Sequence, residues 1–149
     1  MSLSYRDDGI AFLYPENWRL DREENEDGWT VMLQSPGTAF LTLTLSRGDA
    51  DAEAISVAAL EVLQTEYPAL EATPQAETIA GRLAIGHDIE FFSLDLTNSC
   101  WTRCLETEDG ILLILCQSND LELTQYGPVL RAICTSLKIE DDHEFLPED

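Results

Sequence analysis

The chain has 149 residues, a length suited to one domain whose core needs no disulfide or metal to hold it. Its 8 Lys and Arg stand against 29 Asp and Glu, a formal charge of −21. Such a surface repels phosphate backbones and anionic lipid heads, which excludes nucleic acid and the membrane surface as partners and leaves solubility or a basic partner as its use.

No apolar stretch approaches the roughly 18 residues of a membrane span. Residues 1–8 lack the basic start and apolar centre of a signal peptide, and Met1-Ser2-Leu3 reads in part as an expression remnant, so the expectation is a cytoplasmic protein. Four cysteines, Cys100, Cys104, Cys116 and Cys134, are expected there as reduced, mostly buried thiols. Cys100 and Cys104 on one strand would lie roughly 13 Å apart, too far to bridge; pairing of either with Cys116 across strands stays open.

In chain order, residues 9–15 predict a short strand ended by Pro15, and residues 17–20 begin a second. Residues 21–28 hold no apolar side chain and read as an acidic loop. Residues 29–34 and 39–45 alternate with period two, Trp29, Val31 and Leu33 matching Leu41, Leu43 and Leu45. Ser35-Pro36-Gly37 is the turn between them. Asp49 or Asp51 caps a helix to about Tyr67, with Ile55, Ala59 and Val62 as its apolar stripe, widened by Leu60 and Leu63. Tyr67-Pro68 stops it.

Residues 71–78 predict an edge strand, because Pro74 interrupts them. Residues 82–94 place Ile85, His87, Ile89 and Phe91 on one face of the next strand. Residues 98–107 and 110–118 form a hairpin through Glu108-Asp109-Gly110. The run Gly110-Ile111-Leu112-Leu113-Ile114-Leu115-Cys116 does not alternate, which marks a central strand covered on both faces. Asn119 with Glu122 resembles a capping box, Gly127-Pro128 breaks or kinks the helix it opens, and Val129, Leu130, Ile133 and Leu137 continue an apolar stripe. The expectation is one α+β domain over 1–139, an antiparallel sheet of about six or seven strands flanked by two main helices, then an acidic tail over 140–149.

Phe12-x-Tyr14-Pro15-x-x-Trp18 at the front and Ser136-Leu137-Lys138 at the back resemble the PsbP-like superfamily, which includes Ran-binding Mog-like proteins and bacterial DcrB-type domains of unknown function. The resemblance spans about residues 9–139 and implies an α/β/α sandwich around an antiparallel sheet. Relatives serve in photosystem assembly, in GTPase binding and as chaperones. What they share is binding another protein, and no partner-specific residue carries over.

Catalytic signatures are missing from the sequence: no Walker loop, no dinucleotide-binding glycine fingerprint, no Gly-x-Ser-x-Gly and no His-Glu-x-x-His. The enzymatic alternative is a thiol- or metal-dependent site centred on His87 with Cys100, Cys104 or Cys116, against a plainer reading of His87 as a core-border residue. Zinc is disfavoured by the Cys100–Cys104 spacing on an extended strand. Asp21-x-Glu23-x-Asn25-x-Asp27 alternates side-chain oxygens, but Gly28 comes too late for an EF-hand loop. Phe40 and Phe92 fall out of phase with the apolar residues of their strands and, with Trp101 and Arg103, are the candidate binding residues. The expected function is a non-enzymatic, cofactor-free protein-binding module, adaptor or chaperone-like, for a partner that is basic or carries an exposed apolar segment.

Overall fold

The computed structural model describes residues 1–140. Its elements run β1 (Ser2–Asp7), β2 (Ile10–Pro15), β3 (Arg19–Asn25), β4 (Gly28–Gln34), β5 (Phe40–Ser46), α1 (Ala52–Glu66), β6 (Glu71–Ile79), β7 (Arg82–Ser93), β8 (Leu96–Thr107), β9 (Gly110–Asn119), α2 (Leu123–Ser136) and β10 (Lys138–Ile139). Seven strands form one antiparallel sheet in the order β3-β4-β5-β9-β8-β7-β6, and β1-β2-β10 form a second. The unbroken apolar run is β9, the middle strand of the seven, with Ile111, Leu112, Ile114 and Cys116 all buried. With α1 against one face of the sheet and α2 against the other, this central strand has no face left for water, so it carries no polar alternation.

The two helices lie on opposite faces. Cross-strand partners share a face of a sheet, so the register sorts the side chains. Ile89, Phe91 and Cys100 cluster with Leu60 and Leu63 of α1 and with Tyr67 at its C-cap, where the Tyr67 and Phe91 rings stack at 4.0 Å. On the other face Leu41, Leu43, Leu112 and Ile114 meet Leu130 and Ile133 of α2. The front motif closes this side. Phe12 is buried, the Trp18 amide donates to the Pro15 carbonyl at 3.1 Å, and Trp18 meets Tyr126 of α2 edge-on at 5.8 Å.

Several expectations are corrected. Residues 21–28 are not a loop: β3 pairs with β4 from Arg19↔Gln34 to Asn25↔Gly28 while its side chains stay almost wholly exposed. It is an edge strand held by backbone bonds, charged in the way that blunts unwanted pairing. Residues 2–7, read only for targeting signals, form β1, and Lys138–Ile139 form β10, which pairs with β2. Asp51 caps α1 through a bond from the Ala54 amide at 2.9 Å, but Val62 points away from the sheet and Ser56 takes the buried place. Pro128 does not break α2, which runs through it; one missing donor is offset by the burial of Leu130 and Ile133 beyond. The capping box does not form: Asn119 ends β9 and accepts from the Glu122 amide at 3.0 Å across the turn, while Glu122 itself is the N-cap of α2, makes no side-chain cap bond and turns its carboxylate to Thr38. Of the expected acidic tail, residues 141–149 lie outside the described residues. Glu140 is anchored, its amide donating to the Gly9 carbonyl at 2.7 Å and its carboxylate paired with Arg6.

Candidate functional site

Trp101 and Arg103 stand one register apart on β8 and face α2. The Arg103 side chain is 4 % exposed, and its guanidinium donates to Glu77 at 2.6 Å, to Asp88 at 2.9 Å and to the Thr102 carbonyl at 2.7 Å. These carboxylates hold the guanidinium charged against a burial that would favour its neutral form. Arg131 of α2 lies over the Trp101 ring at 4.8 Å and reaches Glu77 at 3.6 Å. Cation and ring gain from the ring's negative face. Trp101, Arg103 and Arg131 line a cavity of about 220 Å³ with Cys134. Beyond the Arg131–Trp101 stack a wider cleft of about 530 Å³ is walled by Glu71, Asp88, Glu90 and Ser99.

Both candidate residues are therefore buried parts of one polar cluster, tying β6, β7 and β8 to α2. Phe92 lies further along the same sheet face, opposite Thr97, and is 69 % exposed. Phe40 is on the other face, half-buried, in register with Gln34 and Gln117. The structure does not bring the four together.

A feature the sequence reading passed over lies near Phe92. β7 turns into β8 through Leu94 and Asp95, whose φ values of 54° and 63° are both left-handed. Two such residues make the tight hairpin turn that usually needs Asn-Gly. Leu94 is 91 % exposed at its tip. The Thr97 carbonyl, opposite Phe92, accepts from the Asp120 amide at 2.9 Å, which brings Leu121, 76 % exposed, to the same end. Glu71 and Glu90, direct cross-strand partners, stand just behind, and Asp95 of the turn and Asp120 lie at the same end. None of the connections at this end, residues 35–39, 67–70, 94–95 and 120–122, contains a lysine or an arginine. Like charges opposite one another cost stability, so this end is acidic at some expense. The signal was available as Phe92-Ser93-Leu94-Asp95, an apolar pair at a turn.

The thiol site expected around His87 is split. His87 faces α1, where its Nδ1 lies 3.3 Å from Ser56 Oγ. Cys100 and Cys104 share that face but sit opposite Ile89 and Ile85, one step to either side of Thr102, the register partner of His87. Burial pushes both thiols up to about 12, away from nucleophilic character. Cys116 points to the opposite face, in register with Trp101, so it pairs with neither. Among the described residues no group of three or more His, Cys, Asp and Glu side chains is arranged to hold a metal ion, and no helix is long and apolar enough to cross a membrane.

No protein-family model and no curated protein matches the sequence. Solved structures do. Cyanobacterial PsbP (CyanoP) from Synechocystis superposes with a TM-score of 0.68 at 11% identity, covering 93% of this chain and 92% of that one. A protein of unknown function from Pseudomonas aeruginosa, PA94, gives 0.55 at 15% identity over 91% and 94% of the two chains. LpqN of Mycobacterium tuberculosis, a protein involved in cell envelope biogenesis, gives 0.55 at 14% over 94% and 91%. At these identities the likeness is one of fold, and it matches the sandwich that the front and back motifs imply. The chain has the PsbP-like α+β fold.

Proposed function

We propose that this chain is a protein-binding module, adaptor or chaperone-like, that recognises a polypeptide segment carrying both basic and apolar side chains. The observation that carries the reading is the end of the sheet where Phe92, Leu94 and Leu121 are exposed together amid carboxylates. Clustered exposed apolar side chains mark interaction surfaces, and a large aromatic at their centre is the usual energetic anchor. The carboxylates around them repel acidic partners and draw basic ones, which gives specificity and faster encounter. Leu94 strengthens the case: a leucine held in left-handed backbone at a hairpin tip costs stability, and such cost is tolerated where it serves a contact.

The test uses defined peptides and fluorescence anisotropy. An amphipathic Arg/Leu peptide is expected to bind, a Glu/Leu peptide and an Arg/Gly peptide are not, and affinity should fall as salt screens charges beyond about 8 Å. The triple variant Phe92→Ser, Leu94→Ser, Leu121→Ser should weaken the Arg/Leu peptide at least about tenfold. Binding of the Arg/Leu peptide that is absent, or equal in the variant, overturns the reading.

A further inference from the structure

Two thiols remain that the proposed docking end does not use. Cys116 of the central strand and Cys134 in the last turn of α2 face each other with their sulfurs 3.9 Å apart. Cys116 is fully buried beneath the helix, whereas Cys134 is partly exposed and lines the cavity of about 220 Å³ beside Arg103 and Arg131. Cys134 thus borders that cavity, and Cys116 does not. We propose that Cys116 and Cys134 form an oxidation-sensitive dithiol, in which a hydroperoxide reacts at Cys134 and Cys116 then closes a disulfide that staples α2 to β9.

The surroundings assign the roles. The hydrogen bond between the two thiols, then the positive charge of Arg131 and Arg103, brings Cys134 below an ordinary thiol although burial and Glu77 oppose this. Burial keeps Cys116 protonated. The thiolate is the reactive form, and a low-pKa accessible thiol beside a second cysteine is the arrangement of a redox sensor. In the first step the Cys134 thiolate attacks the distal peroxide oxygen: an S–O bond forms, the O–O bond breaks, and the departing alkoxide or hydroxide takes a proton from water. In the second, Cys116 sulfur attacks the sulfenic sulfur: the S–S bond forms, the S–O bond breaks, and the hydroxyl leaves as water with the Cys116 proton. The two thiols lose two electrons together, and the hydroperoxide gains them. Closing the gap from 3.9 Å to the roughly 2.05 Å of a disulfide asks for about 2 Å of approach, available to a side chain in the last helical turn. Cys100 and Cys104 lie on the other face of the sheet, packed toward α1.

The experiment treats the reduced, reductant-free protein with near-stoichiometric hydrogen peroxide, quenches it with an alkylating agent and maps peptides by mass spectrometry. The expected result is a monomer lighter by two hydrogens, with a cross-link joining the Cys116 and Cys134 peptides, and Cys100 and Cys104 alkylated only after denaturation. Cys134→Ser should abolish the cross-link, and Cys116→Ala should leave a sulfenic acid on Cys134 that dimedone traps. A wild-type protein that keeps all four thiols, or whose disulfide joins other cysteines or two chains, overturns the proposal. That wild-type map decides the matter even if either variant fails to fold.

Discussion

Gly86 stands directly opposite Arg103 across the β7–β8 ladder, and a Cβ there would lie 1.8 Å from the Thr102 carbonyl oxygen. The same carbonyl accepts from the Arg103 guanidinium. The missing side chain therefore lets two backbones close over a buried cation. Gly86→Ala keeps an ordinary strand conformation but must push β8 away, so it is expected to cost about 2–3 kcal/mol of stability, as overpacking does. Urea denaturation with an unchanged m-value checks this. An unchanged midpoint would show that the ladder yields freely there.

Arg103 and its two acids are not equivalent partners. The guanidinium is 4 % exposed, while Glu77 and Asp88 keep 36 % and 45 %. Remove the arginine and both carboxylates still reach water; remove the carboxylates and the charge stays buried with only backbone carbonyls. The double variant Glu77→Gln, Asp88→Asn is expected to lose about 2–4 kcal/mol, and Arg103→Met less, because an uncompensated buried charge is the costly case. Thermal melts of the two proteins side by side decide the order.

The Leu94-Asp95 turn sets stability against recognition. Replacing it with Asn-Gly supplies residues that enter left-handed backbone easily, and a gain of about 1–2 kcal/mol is expected. The same change removes an exposed leucine from the proposed docking end. A variant that melts higher and binds the Arg/Leu peptide more weakly is the expected outcome; higher melting with full binding would remove Leu94 from that surface.

Asp8 links the two sheets and makes stability depend on acid. Arg22 of β3 donates to both its carboxylate oxygens, at 2.7 and 2.8 Å, and Tyr5 donates as well. The Arg22 bonds hold the Asp8 carboxyl below its usual range despite burial. A depressed folded-state value means the contribution is present above the unfolded value of about 4 and is lost as pH falls through the lower folded one. Asp8→Asn should therefore be less stable than wild type at pH 7, with the gap closing below about pH 4. Tyr5 works at the opposite limit. Burial, then the Asp8 bond, raises its phenol above the ordinary value, so its contribution is intact below about pH 10 and fades as pH climbs further.

The layers were legible in the sequence because burial leaves period and run length behind. β9 announced itself by failing to alternate, and β4 and β5 by alternating cleanly. β3 left no such mark: apart from Leu20, which packs against the core, its side chains from Arg19 to Asn25 meet water, and its pairing with β4 makes it a strand. Val62 was misread for a related reason, since Ser56 and the turns of α1 around it, not the full apolar set, define the face toward His87. Of the candidate binding residues, Trp101 and Arg103 carried the right chemistry for a contact but spend it internally on Arg131, Glu77 and Asp88. Leu94 and Leu121 escaped notice because turn residues carry no period at all. The approach of Cys134 to Cys116 depends on how α2 crosses β9, which no local pattern encodes.

The pairing of β10 with β2, Lys138 beside Ala11 and Ile139 beside Ile10, has a consequence for how the protein is made. Of the described elements β1 and β2 are synthesised first, yet the third strand of their sheet follows all the others. Until then Ile10 and Phe12 lack the cover that α2 and β10 provide. The early hairpin must wait exposed for many seconds at ordinary elongation rates. Completion of this small sheet is a late, whole-chain event, and a chain stalled before Lys138 would display an apolar strand that quality control can read.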